Sequence, residues 1–549
     1  QQSNVTVDLG LVLNAEKVRG NNQNITLAGN DQNNIWEITA NNTGTLQQGS
    51  EEKIYFRDFN FLKGGAESDT FNVAVGGSIG KLVNGKIVGN IDGAAGDDIL
   101  NVNLGASEQA HIHFVGGSHK FGDSIQISGG SESYTATYSI HDDGYALLDY
   151  LNNNNNSQVT YQGSEKINDA ILAQSLRIEG GVSDDEILLS GNSFSVNNLA
   201  SVSYANKSNV IVNGGEGRDS IDVTGTIDME GRNIAFSAES LSNRSIALIK
   251  ASALYLEAVD TAGSEAERIK TNIENLHITN SNNVYIDESN GLNIAQLDQA
   301  DNIHVSAESI TDTVALVNDG ALNLHARNGD IVLDAENRLS GLLNLSAFAH
   351  IDINNLTGTE LGSVTANNLT IQSAGEVFSQ GVITVHQDAH FQSPSANINL
   401  SGANDFSRLE IISANSVRVN DINALLLENS HADVAINISA NGLQANNVSA
   451  GTLLNLDAGS GNFVGSRLVA PRIELRATNG IGDGQTAVTT QTATLFAENS
   501  TNHINIENVG VVSLERLKNT GDITFNNDKD IYVESGSVDA GFNNGRSEE

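Results

Sequence analysis

Short apolar groups in strict alternation with polar residues recur along the whole chain: Ile25-Thr26-Leu27, Leu254-Tyr255-Leu256, Leu322-Asn323-Leu324, Ile351-Asp352-Ile353, Ile398-Asn399-Leu400, Ile473-Glu474-Leu475 and Ile504-Asn505-Ile506. Alternation at period two puts every second side chain on one face of a strand. Asn, Gly, Ser and Asp fill the intervals, and these residues tolerate the left-handed conformations of tight turns. Many short, evenly spaced strands with no linker-like break predict stacked coils. The expected fold is all-β: a right-handed parallel β-helix (β-solenoid), drawn out into an elongated rod. A β-sandwich array would instead show domains of roughly 100 residues with linkers between them. Helical spacing is scarce, and Ser264 to Asn275 is the one stretch that admits a helix. At roughly 20 to 30 residues per coil and about 4.8 Å per rung, the rod would be on the order of 100 Å long.

No Cys is present, so no disulfide holds the coils together, and the lack of thiols suits export into an oxidising space. Asp and Glu total 67 against 28 Lys and Arg, a formal charge of −39. That balance lacks the basic footprint that nucleic acid or an anionic bilayer surface requires. No apolar run approaches the roughly 20 residues that span a membrane, so no direct membrane insertion is expected. Self-repulsion on this scale is relieved by an elongated shape or by bound divalent cations. Neither Gln1-Gln2-Ser3 nor Ser547-Glu548-Glu549 carries a leader or an anchor. The coil pattern runs on through Ile523-Thr524-Phe525 and Ile531-Tyr532-Val533 without a polar cap, so more rod is expected to follow. A viral fibre or tailspike would end in a distinct trimerisation fold.

The first half contains a duplication. Gln48-Gly49-Ser50-Glu51-Glu52-Lys53-Ile54 returns as Gln162-Gly163-Ser164-Glu165-Lys166-Ile167, and the Gly64-Gly65 turn returns as Gly180-Gly181. Residues 1–165 are read as a Gly/Asp-rich solenoid section, 166–310 as its second copy and a transition, and 311–549 as more uniform coils rich in Asn, Ala and Ser. Five successive asparagines, Asn152 to Asn156, read as a surface loop, with an internal Asn ladder as the alternative.

The later coils carry Ile398-Asn399-Leu400-Ser401-Gly402-Ala403-Asn404-Asp405-Phe406, Ala424-Leu425-Leu426-Leu427, Leu475-Arg476-Ala477-Thr478-Asn479-Gly480-Ile481-Gly482 and Thr494-Leu495-Phe496-Ala497-Glu498. In these the chain resembles the rods of filamentous haemagglutinin-like exoproteins, the secreted partners of two-partner secretion. That resemblance implies a right-handed β-helix, export through an outer-membrane transporter, and adhesion. The family's secretion-signal domain is not recognisable here.

Four segments approximate the Gly/Asp turn of RTX calcium repeats: Gly64 to Phe71, Gly93 to Leu100, Gly180 to Ile187 and Gly214 to Ile221. In that turn an Asp carboxylate and turn carbonyls ligate Ca²⁺ while the apolar residue two positions later enters the core. Asp69, Asp98, Asp185 and Asp219 hold the Asp place. Only the last copy is a full match, since Glu67 and Ser183 replace the third Gly in two copies and Ala94 the second Gly in another. The copies are not in tandem, so shared ligation requires them to stack rung over rung. Without calcium, the same residues simply make turns. His111 and His113 lie on one face of a strand, with His119 the nearest further ligand, and read as a solvated face rather than a metal clamp.

Enzymatic β-helices acting on acidic glycans need paired carboxylates at a defined separation, or a basic proton acceptor beside Ca²⁺. The pairs Asp97-Asp98, Asp142-Asp143 and Asp184-Asp185 are strand neighbours that point to opposite faces. The sequence therefore points to a structural rod of a secreted bacterial surface adhesin or biofilm-matrix protein rather than an enzyme. Its expected partners are an exopolysaccharide, a cell-surface glycan or another copy of itself. A β-helix polysaccharide lyase or hydrolase is the alternative.

Overall fold

The computed structural model describes residues 5–8, 16–21, 24–105, 108–131, 133–140, 145–152, 155–244, 246–533 and 542–544. The chain is all-β, 66% strand, and winds as a parallel β-solenoid of about 25 turns. No helix occurs among the described residues. Two compact units are present, Gln1–Glu274 and Asn275–Glu549.

In the second unit each turn takes about 20 residues, and the inward apolar positions stack in register. Val284 lies under Ile303, then Leu322, Leu343 and Leu361. Further along, Ile398, Val417, Ile436, Leu454, Ile473 and Leu495 continue the same kind of column. Parallel strands pair residue for residue, so a side chain that points inward in one rung meets its counterpart in the next. That is why the alternation repeats so regularly in sequence.

The first unit obeys the same rule with larger side chains: Trp36, Phe71, Leu100, Ile125, Ile167 and Val202 form one inward column. Trp36 stacks on Phe71 with ring centroids 5.7 Å apart. Among the described residues its parallel stack is interrupted by three antiparallel excursions of three strands each. They are Asn34–Ala40, Thr43–Gln48 and Ile54–Arg57; then Thr135–Ile140, Ala146–Asn152 and Asn155–Gln162; then Glu186–Ser190, Ser193–Val196 and Ser201–Tyr204. The outer strands of each excursion still pair in parallel with the rungs above and below. The duplicated Gln-Gly-Ser-Glu begins on the last residue of Thr43–Gln48, within the first excursion, and on the last residue of Asn155–Gln162, where the second excursion ends. Gly49 and Gly163 take positive φ (56° and 69°) to leave those strands.

Two expectations change. The stretch Ser264 to Asn275 is not helical: it is a turn leading into the strand Ile269–Thr279, with Ile269, Thr271 and Ile273 buried in alternation. Period two, not 3.6, organises its apolar positions. Within the asparagine run, Asn152 pairs with Asn155 across the antiparallel strands Ala146–Asn152 and Asn155–Gln162, and residues 153 and 154 lie outside the described ones.

Asparagine does form ladders elsewhere in the second unit. Outside, Asn344 donates to Asn323, and Asn323 to Asn302. Inside, buried Asn318, Asn337, Asn355, Asn404, Asn499 and Asn508 accept backbone N–H groups of neighbouring rungs at the corners. Asn404 is fully buried: its Oδ1 accepts the Ile383 N–H and its Nδ2 donates to the Leu400, Gly402 and Asn420 carbonyls. Asn404→Ala removes the acceptor of the Ile383 N–H and a donor to three carbonyls, and is expected to cost about 1–3 kcal/mol, read from urea melts.

Candidate functional site

The four Gly/Asp turns lie in the first unit and stack as rungs. Asp69 lies under Asp98, as the pairing of Thr70 with Ile99 shows, and Asp185 under Asp219, as that of Glu186 with Ser220 shows. All four carboxylates are buried. Each accepts a hydrogen bond from the adjacent rung or strand. Asp69 Oδ1 takes the Asn34 N–H at 2.7 Å, Asp98 Oδ1 that of Asp69 at 2.7 Å, and Asp219 Oδ1 that of Asp185 at 2.8 Å. Asp185 Oδ1 accepts from the Asn197 side chain instead, at 2.5 Å.

The ladder continues through residues that the fixed spacing did not reveal. Asp123 Oδ1 takes the N–H of Asp98, Glu165 Oε2 that of Asp123, and Glu239 Oε2 that of Asp219. The Asp123 turn opens with the same Gly pair, Gly116-Gly117, but is two residues longer, so the pattern hides it. Glycine is required under the carboxylates by close approach. A Cβ on Gly93 would sit 2.3 Å from Asp98 Oδ2 and 2.6 Å from the Gly116 carbonyl oxygen.

Second oxygens divide the four. Asp69 Oδ2 accepts the Gly65 N–H and Asp185 Oδ2 the Gly181 N–H, so both oxygens of each carboxylate accept hydrogen bonds. Asp98 Oδ2 and Asp219 Oδ2 are buried with no hydrogen-bond partner. Burial raises the Asp69 and Asp219 carboxyls above the usual carboxylate range. Asp98 is pushed up to about 7 by burial, with the charges of Asp69, Asp123 and Asp92 adding to it.

Residues 281–346 and 349–412 match the family model "Repeats of unknown function (DUF5649)". No curated protein matches the chain. Both matched windows lie in the second unit, among its uniform coils. The protein is thus a repeat-rich β-helix protein. The Gly/Asp ladder lies outside the matched windows.

His111 and His113 share the outward side of the strand His111–Ser118, opposite inward Ile112 and Phe114. They are half-buried rather than solvated, and burial holds both imidazoles below their ordinary pKa, toward the neutral form. His113 Nδ1 lies 2.9 Å from Thr160 Oγ1 and its ring packs edge-on against Tyr145. His113, with Ile87, Leu147 and Gln158, lines a groove of about 340 Å³ beside the hairpin of Lys81–Val83 and Lys86–Val88. His119 lies elsewhere, in the Asp123 turn.

Of the adjacent carboxylate pairs, Asp97-Asp98 and Asp184-Asp185 split between faces. Asp98 and Asp185 are buried, whereas Asp97 and Asp184 accept N–H groups from the turn of the next rung. Asp142-Asp143 lies outside the described residues.

Proposed function

We propose that this chain is a structural segment of a large secreted bacterial surface adhesin or biofilm-matrix protein, of the filamentous haemagglutinin-like kind, and not an enzyme. The observation that supports this reading is the stacking itself. In each unit, successive turns pair in parallel with inward side chain over inward side chain, which makes a stiff body whose length grows with the number of coils. Its outer faces carry ladders of Asn, Ser and Thr, suited to many weak, repeated contacts. In this reading the protein reaches the cell surface or extracellular matrix through an outer-membrane transporter. There it holds exopolysaccharide, cell-surface glycan or other copies of itself. Calcium belongs to the proposal at Asp98 and Asp219, whose second oxygens accept no hydrogen bond.

The test is a glycan-binding and self-association screen run beside a depolymerisation assay on acidic polysaccharides. Saturable binding or concentration-dependent association without turnover is the expected result. Turnover without durable binding would replace this reading with a β-helix lyase or hydrolase. Melting the chain in millimolar Ca²⁺, in Mg²⁺ and with chelator checks the cation. A shift specific to Ca²⁺ supports bound ions, and equal shifts with both reduce it to screening of the −39 charge.

A further inference from the structure

Where the Asp ladder meets the second antiparallel excursion, a histidine stands between two carboxylates. His119 Nδ1 lies 3.6 Å from Asp123 Oδ2, and His119 Nε2 lies 3.5 Å from Glu165 Oε1. Both contacts are too long for hydrogen bonds. Each carboxylate is held by its other oxygen. Asp123 Oδ1 accepts the Asp98 N–H at 2.7 Å, and Glu165 Oε2 accepts the Asp123 N–H at 2.6 Å. The histidine turn is fixed as well, because the successive N–H groups of Lys120, Phe121 and Gly122 all donate to Asp97 Oδ1. Asp123 is 0% exposed, and its Oδ2 is buried without a hydrogen-bond partner. An unpaired buried carboxylate oxygen is costly, and this one is aimed at an imidazole.

We propose that His119, Asp123 and Glu165 bind a first-row divalent transition-metal ion, of the zinc or manganese kind, which staples the turn before the excursion to the turn after it. One ligand atom from each residue can be chosen so that all three lie within 4.8 Å of one another. Metal–ligand bonds of roughly 2.0–2.2 Å place neighbouring ligand atoms about 3.3–3.6 Å apart, so a small rotation of the imidazole completes the set. One imidazole nitrogen with two carboxylate oxygens selects such an ion over Ca²⁺ or Mg²⁺, which take oxygen alone. The side chains of His119 and Glu165 are 34% and 37% exposed, which opens the site to loading and leaves room for water ligands. Burial, with the Glu165 charge adding to it, raises the Asp123 carboxyl, and a bound cation relieves both. Between Asp123 and Glu165 lie Ser124–Gly129, which pairs in parallel with Lys166–Asp169, and the three strands of the excursion, Thr135–Ile140, Ala146–Asn152 and Asn155–Gln162, so the staple ties one rung to the next across the excursion.

The test uses the full chain, stripped with chelator and titrated with Zn²⁺ by calorimetry, with Co²⁺ absorption as a spectroscopic check of the ligands. One ion per chain is expected, with affinity lowered at least about tenfold in both His119→Gln and Glu165→Gln, and no displacement by millimolar Ca²⁺. Both variants change partly exposed side chains, and the amide oxygen introduced by Glu165→Gln still accepts the Asp123 N–H, so their apo forms should melt as the parent does. Absence of saturable binding overturns the proposal. So does binding that survives unchanged in both variants, which would put the ion elsewhere.

Discussion

Replacing Lys207 with Met is expected to cost about 3–5 kcal/mol at neutral pH, the usual range for removing one member of a buried ion pair. Lys207 and Asp169 both have 0% side-chain exposure, with Nζ 3.0 Å from Asp169 Oδ1. The ammonium also donates to the Ile171 carbonyl at 2.7 Å and the Ala205 carbonyl at 3.0 Å, so all three of its protons are placed. Burial pushes the Asp169 carboxyl up and the Lys207 amine down, and each partner's charge opposes the other's shift. Without the ammonium, Asp169 loses the interaction that favours its ionised form, and its folded pKa rises further above the unfolded value. The folded state then binds more protons than the unfolded one across that window, so the defect deepens as pH rises and eases as it falls. Urea melts at pH 5 and pH 8 check this. The pair Lys207→Met with Asp169→Asn should be milder at pH 8 than Lys207→Met alone. A single variant within about 1 kcal/mol of the parent at both pH values would show that the ion pair is not buried as described.

Lys207 also shows where reading the sequence stops. Val210 and Val212 set the inward parity of the strand Lys207–Asn213, and alternation alone places Lys207 outward. It is buried because the chain turns a corner at Asn206, with φ 59°, and starts the strand from inside. Corners of this kind carry no periodic signal. The stacked coils themselves were legible, because each inward column leaves its period-two trace in every rung. The Gly/Asp turns were legible as turns, and the 29 residues between Asp69 and Asp98 are indeed one rung. The antiparallel excursions were not. Tyr138 and Tyr161 alternate with polar neighbours just as in a parallel strand, and alternation does not distinguish the two pairings. The members of the ladder beyond the four aspartates were hidden by turn length, as at Asp123, or by a change to glutamate, as at Glu165 and Glu239.

The inner ladders of the two units use different chemistry at comparable corners: carboxylates in the first, mainly amides in the second. A carboxylate and an amide both accept a backbone N–H, but only the carboxylate brings a charge that must be desolvated. Asp98→Asn is therefore expected to stabilise the chain by about 2–4 kcal/mol at pH 8, by about 1–2 kcal/mol at pH 5, and hardly at all below about pH 4. The folded Asp98 pKa of about 7 lies well above the ordinary aspartate value of 3.8. Between those values the folded carboxyl holds a proton that the unfolded one has released, so stability is lost as pH rises through this window and the full penalty applies above it. At about 1.4 kcal/mol per pKa unit the ceiling is about 4 kcal/mol. The asparagine keeps the acceptor for the Asp69 N–H and removes the charge. A protonated Asp98 is likewise uncharged, which is why the two forms converge below about pH 4. Paired urea melts of parent and variant at pH 5 and pH 8 read the difference. If the variant's gain is the same at both pH values, or if it is destabilised at both, Asp98 is not titrating in the folded core and the charge on this ladder is screened in some other way.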